Sequence, residues 1–287
     1  MTLTRADFRH TDRLRVRWAE VDMQKIVFNA HYLMYIDTAV AGWWRALALP
    51  YQATMDQFGG DLYVKKATLE YHASARYDDS LDVGIKTARI GSSSILIQAA
   101  VLRGDTLLVS GELVYVFADP ASQTSKPVPA ALREVLLGFE AGEAMVTVDV
   151  GTWDVLGKEA SALRQAVFVG EQNIPAALEW DAGDAHCTHA VARNRLGLAL
   201  ATGRLLAPAS GVAQIGRMAV HASLRGSGIG RAVLDALMQA ATARGDTEVL
   251  LHAQTSAEGF YRRVGFSPRG PVFDEAGITH QEMVRAL

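Results

Sequence analysis

Residues 31–47, HYLMYIDTAVAGWWRAL, decide the fold of the first half of this 287-residue chain. Their apolar positions recur every three to four residues, which is the spacing of one helical face. These positions are Leu33, Ile36, Val40, Trp43 or Trp44, and Leu47. Asn29 stands just before the segment and is predicted to cap the helix, and Pro50 is predicted to close it.

Beyond this helix the apolar period changes to two, which predicts β-strands over residues 62–71, 81–90, 94–103 and 106–118, after a short first strand over 14–18. Gly104 and Asp105 separate the last two strands and predict a hairpin turn. The order of elements predicts a long helix against an antiparallel meander. Because one helix covers a sheet face only in part, we expect a partner chain to help cover it.

A loop with three prolines over 119–129 and a short helix over 130–139 precede the stretch EAGEA at 140–144. We predict a boundary there, with domains 1–142 and 143–287. In the second half the pattern predicts strands over 145–150, 188–192, 198–205, 214–220 and 248–252. Helices are predicted over 154–169, from the RGSGIG turn to Arg244, and over 257–264, with Gly245 as a stop signal. The predicted fold class is α+β, with a mixed α/β second domain.

The bulk composition excludes several classes of protein. The net charge is −3 and no run of Lys and Arg occurs, which argues against a nucleic-acid partner. No apolar stretch reaches the roughly 20 residues that span a bilayer, and the first residues lack the apolar core of a signal peptide. Cys187 is the single cysteine, so no intrachain disulfide is possible and a cytoplasmic location is expected.

The segment RVRWAEVDMQKIVFNAHYLMYIDTA, residues 15–39, resembles the signature of the 4-hydroxybenzoyl-CoA thioesterase family in its YbgC-like branch. YVKKATLEYHASARYDD (63–79) and ELVYVFADP (112–120) extend the resemblance to about residues 10–140. The resemblance implies a hot-dog fold and hydrolysis of acyl-CoA thioesters. It also implies a homodimer or homotetramer built through this half.

The family motif D-x-x-G-x-V-F-x-x-x-Y corresponds here to residues 22–32. The resemblance implies that Asp22 is the catalytic carboxylate, which attacks the thioester carbonyl or activates water to do so. It implies that the amide of Asn29 polarises that carbonyl. Lys25 replaces the family glycine and Ser74 the family proline. Lys25 could crowd the turn or bind a substrate carboxylate or CoA phosphate, and the alternative for Asp22 is a helix-entry residue without chemistry.

The segment IGRMAVHASLRGSGIGRAVLDAL, residues 215–237, carries a strand into a glycine-rich turn that opens a helix. Backbone amides at such a turn form an anion site, and glycines let the backbone approach phosphates. A dinucleotide fingerprint fails because Arg231 stands where its third glycine would fall. The pattern R/Q-x-x-G-x-G of GNAT acetyltransferases is complete through Arg225, Gly228 and Gly230. A plain capped turn is the alternative for this loop alone.

The segment AQTSAEGFYRRVGFSP, residues 253–268, resembles the GNAT segment in which a short helix carries a tyrosine before a Gly-Phe pair. A phenol is a suitable acid for a leaving thiolate, so Tyr261 is the candidate acid, with a half-buried structural aromatic as the alternative. AVFVGEQNIP (166–175) and GITHQEM (277–283) narrow the resemblance to the ElaA-like branch over about residues 147–287.

The GNAT resemblance implies two sets of contacts to coenzyme A or acetyl-CoA. Backbone groups of Met218, Ala219 and Val220 would pair with the pantetheine arm. The pyrophosphate would lie on the amides of the loop that follows Arg225, formed by Gly226, Ser227, Gly228, Ile229, Gly230 and Arg231. The candidate bases are Glu171, His252 and His280, and no metal-ligand spacing is evident.

Three hypotheses cover the whole chain. The first is a bifunctional enzyme with thioester hydrolysis in one domain and acyl transfer from acyl-CoA to an amine acceptor in the other. The second is an acetyltransferase with a catalytically silent hot-dog module for dimerisation or acyl-CoA binding. The third is a non-enzymatic acyl-CoA sensor, since a fold alone does not establish activity.

Overall fold

The computed structural model describes residues 3–287, in two compact units that divide between Met145 and Val146. The first unit contains strands β1 (His10–Arg15), β2 (Asp61–Tyr71), β3 (Ser80–Ile90), β4 (Ser94–Arg103) and β5 (Thr106–Ala118). Its helices are α1 (Asn29–Ala46), α2 (Tyr51–Phe58) and α3 (Ala130–Glu140). An antiparallel sheet with a long helix confirms the predicted hot-dog arrangement of this half.

The sheet of the first unit has the strand order β1-β3-β4-β5-β2, with every neighbouring pair antiparallel. Only β3, β4 and β5 form a meander, so the prediction of a meander through all four long strands is wrong. Strand β2 pairs with β5 at one edge of the sheet, and between Tyr71 and Ser80 the chain passes to β3, which lies between β1 and β4 on the other side of the sheet. Sequence periodicity reveals which residues form strands but does not encode which strands pair.

Helix α1 buries one face against the sheet, and Tyr35, Ile36 and Trp43 are each at most 3% exposed. Full burial of such a side chain contributes about 1.5–3 kcal/mol. Gly42 lets the helix approach strand β1, because a Cβ atom there would lie 2.0 Å from the carboxylate of Asp12. The periodic apolar face therefore forms the core of this unit.

Three local predictions for the first unit need correction. Asn29 is the first residue of α1 and not its cap, since Phe28 occupies the cap position. Helix α1 ends at Ala46, before Pro50, and Pro50 occupies the N-cap position of helix α2, which the periodicity did not reveal. The first strand lies at His10–Arg15 and not at 14–18, because its pairing with β3 starts at His10 and ends at Arg15.

The second unit contains strands β6 (Val146–Gly151), β7 (Thr188–Asn194), β8 (Ala199–Ala209), β9 (Val212–Val220), β10 (Glu248–Gln254), β11 (Ser267–Pro268), β12 (Phe273–Glu275) and β13 (Ile278–Ala286). Its helices are α4 (Trp153–Arg164), α5 (Ala176–Glu179), α6 (Ile229–Arg244) and α7 (Glu258–Arg263), and a π-helical segment Gln165–Glu171 continues α4. The sequence pattern missed β11, β12, β13 and α5. Gly245 ends α6 with a φ of +93°, as predicted.

The mixed sheet of the second unit has the order β11-β13-β10-β9-β8-β7-β6, and β12 pairs with β13. Strands β9 and β10 are parallel, with α6 as their crossover connection, while the other pairs are antiparallel. The mixed α/β prediction for this half is confirmed. The parallel pair is the feature that positions the second candidate site.

Candidate functional sites

Asp22 lies in a tight turn between two short extended segments. Val21 and Val27 form an isolated antiparallel bridge, and the amide of Asp22 donates to the carbonyl of Ile26 over 2.9 Å. The Oδ1 atom of Asp22 accepts a hydrogen bond of 2.8 Å from the amide of Gln24. Within residues 3–287 no hydrogen bond reaches Oδ2, so one carboxylate oxygen is oriented and the other is open for chemistry.

Lys25 adopts a φ of +61°, in the left-handed region that favours glycine. This is the backbone conformation that the family glycine would take without strain. The side chain of Lys25 is exposed and does not line the cavity beside Asp22. The substitution therefore keeps the turn and does not crowd the cavity.

Asn29 provides the first amide of helix α1. Amides in a first helical turn have no partner inside the helix, and the amide of Asn29 has no acceptor among the residues that the structure describes. The carbonyl of Asn29 accepts a hydrogen bond of 3.2 Å from the hydroxyl of Tyr71. This bond ties the start of the helix to strand β2.

Asp22 and Asn29 line one cavity of about 600 Å³. Its walls are largely aromatic and apolar, and they include Phe28, Tyr32 and Tyr71. The N-terminal end of α1 carries partial positive charge, which stabilises an anion that develops beside it. The cavity thus combines a carboxylate that could act as a nucleophile or base, a free amide that could bind an oxyanion, and an apolar wall. These are the groups that attack on a thioester requires.

Glu20 is a buried carboxylate near this turn that the sequence pattern did not reveal. Its side chain is 3% exposed and accepts hydrogen bonds from the hydroxyl of Tyr35 (2.7 Å) and the amide of Arg17 (2.8 Å). Burial alone would raise the pKa of Glu20, but these hydrogen bonds and the Arg17 guanidinium outweigh it and lower the pKa. The carbonyl of Glu20 accepts the amide of Phe28 over 2.9 Å, so this residue braces the turn that carries Asp22.

The second candidate site lies where two parallel strands separate. Strands β9 and β10 pair only as far as Ile215 and Leu251. Beyond that point β9 carries a bulge against β8, and Arg217 in the bulge adopts a φ of +52°. A cavity of about 510 Å³ occupies the gap, and Met218 and Tyr261 both line it.

The other two predicted pantetheine contacts lie further along β9. Ala219 is 1% exposed, so its side chain belongs to the core and only its backbone could contact a ligand. The carbonyl of Val220 accepts a hydrogen bond of 3.2 Å from the guanidinium of Arg225. This bond folds the first residue of the glycine-rich loop back onto the strand.

The loop itself is shaped to admit phosphates. Gly226 and Gly228 have φ values of +83° and +88°, and a Cβ atom at either position would meet no atom within 4 Å. Helix α6 begins at Ile229, directly after this open space. The amides of Gly226, Gly228, Ile229, Gly230 and Arg231 have no acceptor in the part of the chain that the structure describes, whereas that of Ser227 donates to Leu224. The loop therefore fits a pyrophosphate group.

Two arginines flank this loop and both are paired. The guanidinium of Arg225 lies 2.6 Å from the carboxylate of Glu171. Arg231 pairs with Asp235 on its own helix over 2.7 Å. Glu171, a candidate base, thus contacts the phosphate loop and does not line the cavity that holds Tyr261. The other two candidate bases, His252 and His280, do line that cavity.

Tyr261 on α7 is 8% exposed and packs edge-on against Phe260 and Phe266. Burial raises the pKa of Tyr261 to about 12, so the phenol keeps its proton at neutral pH. A thiolate that forms in the same desolvated space also binds a proton more strongly than it does in water. The phenol is therefore suited to protonate it.

A cluster of three arginines and three carboxylates, here the arginine–carboxylate cluster, holds one wall of the second cavity. Its members are Arg164, Arg204, Arg217, Glu179, Asp181 and Asp184. All three carboxylates come from residues 179–184, and the arginines come from α4, β8 and β9. No pattern in the sequence marked this cluster, because its members come from four separate segments of the chain.

The carboxylate of Asp184 lies 2.8 Å from Arg164 and 2.9 Å from Arg204. Burial would raise the pKa of Asp184, but the hydrogen bonds from these two guanidinium groups lower it below its usual value. Two buried donors, Nε of Arg204 and Nε of Arg217, have no hydrogen-bond acceptor among residues 3–287. The cluster therefore holds its segment by charge and leaves two donors for water or a neutral ligand oxygen.

Within residues 3–287 no three His, Cys, Asp or Glu side chains converge to hold a metal ion. The same residues include no helix that is long and apolar enough to cross a membrane.

Comparison with known proteins assigns each half. Residues 16–136 match the Thioesterase-like superfamily, and residues 166–287 match the Acetyltransferase (GNAT) domain. Acyl-CoA thioester hydrolase YbgC of Escherichia coli is 29% identical over 120 residues, which are 42% of this chain and 89% of that protein. YjcF, an uncharacterised N-acetyltransferase of Bacillus subtilis, is 33% identical over 129 residues, which are 45% of this chain and 91% of that protein.

A solved 1,4-dihydroxy-2-naphthoyl-CoA thioesterase from Synechocystis is 17% identical, with a TM-score of 0.42 over 45% of this chain and 95% of that chain. The chain therefore belongs, through residues 166–287, to the GNAT acetyltransferase family, and its residues 16–136 form a domain that matches the thioesterase-like superfamily.

Proposed function

We propose that this chain is a bifunctional acyl-CoA enzyme. Its first domain hydrolyses acyl-CoA thioesters, and its second domain transfers an acyl group from CoA to an amine. The observation that carries the proposal is that each domain has its own cavity with its own candidate catalytic group, Asp22 in one and Tyr261 in the other. The domain assignments support CoA-linked substrates for both cavities.

In hydrolysis, Asp22 attacks the thioester carbonyl carbon directly or draws a proton from a water that does so. The carbonyl oxygen becomes negative and accepts a hydrogen bond from the amide of Asn29, which the helix N-terminus reinforces. The C–S bond then breaks, and CoA leaves as a thiolate that takes a proton from solvent. In the direct route, water cleaves the resulting anhydride and regenerates the carboxylate.

In transfer, the amides from Gly226 to Arg231 hold the CoA pyrophosphate, and the backbone of β9 from Met218 to Val220 aligns the pantetheine arm. The acceptor ammonium gives one proton to a base that lines the cavity, His252 or His280, and its neutral nitrogen attacks the thioester carbonyl carbon. The second N–H proton passes to solvent. A C–N bond forms, the C–S bond breaks, and Tyr261 gives its proton to the departing thiolate. The phenolate regains a proton from solvent.

The test measures CoA release from a panel of acyl-CoAs, from acetyl to long-chain and aromatic, by the wild type and by Asp22→Asn. We expect the variant to lose hydrolysis by at least about 100-fold while its acetyl transfer to amines is unchanged. Asp56→Asn serves as the matched control, since this exposed carboxylate on α2 bonds to Gln52 and does not line the cavity.

If no acyl-CoA is hydrolysed by the wild type, or if Asp22→Asn hydrolyses normally, the bifunctional proposal is wrong. The first domain is then a dimerisation or binding module attached to an acetyltransferase. A wild type that binds CoA but neither hydrolyses nor transfers would support a sensor.

We also propose that the first domain assembles as a homodimer or homotetramer. Large apolar side chains around the Asp22 turn are exposed, including Trp18 (74%), Met23 (101%) and Phe28 (48%). Exposed apolar surface of this kind marks an interface. Light scattering on the full chain should give two or four copies, and a monomer at micromolar concentration contradicts the proposal.

A further inference from the structure

The cavity of the second domain has two walls that the CoA-binding residues do not form. One wall comes from the segment that carries Ile174 and Leu178, and the other from the hairpin of β12 and β13 with Glu275. None of the loop residues from Arg225 to Arg231 lines this cavity. The acceptor must therefore meet the charges and apolar groups of these two walls.

The arginines at the cavity contribute no net positive charge. Arg204 and Arg217 line it, but both belong to the arginine–carboxylate cluster, where three guanidinium groups face three carboxylates. Asp181 alone lies within 3.3 Å of both Arg204 and Arg217. An acceptor that carries a carboxylate would have to displace one of these pairs.

Glu275 is the charged residue of the cavity that no Lys or Arg side chain within residues 3–287 neutralises. Its carboxylate is 49% exposed and lies 3.6 Å from Nδ1 of His252. Glu282 stands on the other side of the same imidazole, 3.8 Å from Nε2, but it pairs with Arg269 over 2.6 Å. Of the two carboxylates beside His252, only Glu275 leaves its charge available to a ligand.

The remaining lining of the cavity combines neutral amide side chains with apolar groups. Leu178, which is 57% exposed, lines it together with Ile174, Phe168 and Ile215. Gln172, Gln214 and Gln254 are uncharged, so they add no positive charge that would attract a carboxylate. An apolar molecule of modest size gains free energy from covering the apolar groups.

We propose that the acceptor of the second domain is a cationic amine on an apolar body, without a carboxylate of its own, and that Glu275 selects its charge. This inference rests on the proposed transfer activity. The ammonium group of the acceptor meets Glu275 at the cavity mouth, where His252 is placed to take its proton. The neutral nitrogen then attacks the thioester, while the apolar body covers Ile174 and Leu178.

The experiment compares acceptors that differ only in a carboxylate, phenethylamine against phenylalanine and tryptamine against tryptophan, with acetyl-CoA as donor. We expect kcat/KM for each amine to exceed that of its amino acid by at least about 10-fold. Glu275→Gln should lower kcat/KM for the amines by about 10-fold, with little change for the amino acids.

Three further variants sharpen the test. Glu275→Asp should keep most of the selectivity. Glu282→Gln should change it much less than Glu275→Gln, because Glu282 pairs with Arg269 and does not line the cavity. Glu275→Lys should shift the preference toward the amino acids. Circular dichroism verifies that each variant is folded, and the KM for acetyl-CoA should be unchanged.

Different results would refute the transfer activity and the role of Glu275. If no acceptor is acetylated by the wild type, the transfer activity itself is refuted and this inference with it. If amines and amino acids are acetylated equally well, or if Glu275→Gln keeps the wild-type selectivity, the transfer activity stands and the assignment of Glu275 is overturned.

Discussion

The amide of Lys25 donates a hydrogen bond of 2.9 Å to the carbonyl of Asp22, and it does so with the backbone of Lys25 in the left-handed region at a φ of +61°. A residue with a Cβ atom pays a conformational penalty there of about 1–2 kcal/mol, which glycine avoids. Lys25 therefore closes the same turn that glycine would close, at a cost in stability and without entering the cavity.

From this relationship we predict that Lys25→Gly stabilises the first domain by about 1 kcal/mol and keeps hydrolysis near the wild-type rate. Thermal unfolding and CoA release measure the two effects. Lys25→Ala removes the same charge but keeps the Cβ atom, so the first domain of this variant should be no more stable than that of the wild type. A loss of hydrolysis in both variants would mean that the ammonium group of Lys25 binds substrate.

Tyr261→Phe should slow the turnover of acetyl transfer by about 100-fold or more, because the departing thiolate loses its proton donor. The KM for acetyl-CoA should change little, since the phenol does not contact the phosphate loop. Tyr261→Phe should slow transfer far less from a donor whose leaving group needs no proton, such as S-(4-nitrophenyl) thioacetate. Equal losses with both donors would show that Tyr261 shapes the cavity and does not act as an acid.

The Glu171→Gln variant tests whether Glu171 acts as the general base or only as an ion-pair partner of Arg225 beside the glycine-rich loop. Glu171 pairs with Arg225 over 2.6 Å, so removing its charge should alter the KM for acetyl-CoA by a few-fold and leave the turnover rate nearly unchanged. Initial rates at saturating acceptor measure both quantities. If the turnover rate instead falls by about 100-fold or more, the range expected for loss of a general base, Glu171 becomes a candidate base again.

The arginine–carboxylate cluster should make one wall of the acceptor cavity pH-sensitive. Asp184 has a lowered pKa in the folded state, so its contribution to stability is present above its unfolded value of about 3.9 and is lost as pH falls through the folded value. In Asp184→Asn, hydrogen exchange of residues 172–187 at pH 7 should be at least about 10-fold faster than in the wild type.

The difference between Asp184→Asn and the wild type should begin to shrink as pH falls below the unfolded pKa of about 3.9, and it should vanish only below the lowered folded pKa, where the wild-type carboxylate is protonated as well. Hydrogen exchange followed by mass spectrometry at several pH values measures this ratio. Asp235→Asn, in an exposed pair with Arg231 on α6, is the matched control and should leave residues 172–187 unchanged. A difference that persists undiminished at low pH would exclude charge as the force that holds the segment.

Much of the fold could be predicted because it depends on periodicity along the chain. Strands β4 and β5 begin and end at the predicted residues, and the Gly104-Asp105 turn joins them. Helix α2 and strands β12 and β13 were missed. Helix α2 and strand β12 are short, and β13 (ITHQEMVRA) mixes polar and apolar residues without a clear period of two, so packing against the rest of the domain determines them.

The candidate sites show the same division. Asp22, Asn29, Tyr261 and the glycine-rich loop follow from motifs whose spacing is local. Glu20 and the arginine–carboxylate cluster join residues that are far apart in sequence, such as Arg164 and Asp184, and no local pattern marks them.

The sequence by itself determined that the chain has two domains, that an amphipathic helix follows a carboxylate in the first, and that a glycine-rich turn opens a helix in the second. These features arise from neighbouring residues, whose spacing and backbone preferences are written along the chain. Only the tertiary structure decided that β2 lies at the sheet edge, that β9 and β10 separate beyond Ile215, and that Glu275 stands beside His252 without a Lys or Arg partner among residues 3–287. Strand pairing and charge compensation depend on which distant residues meet, and that is set by the packing of the whole domain.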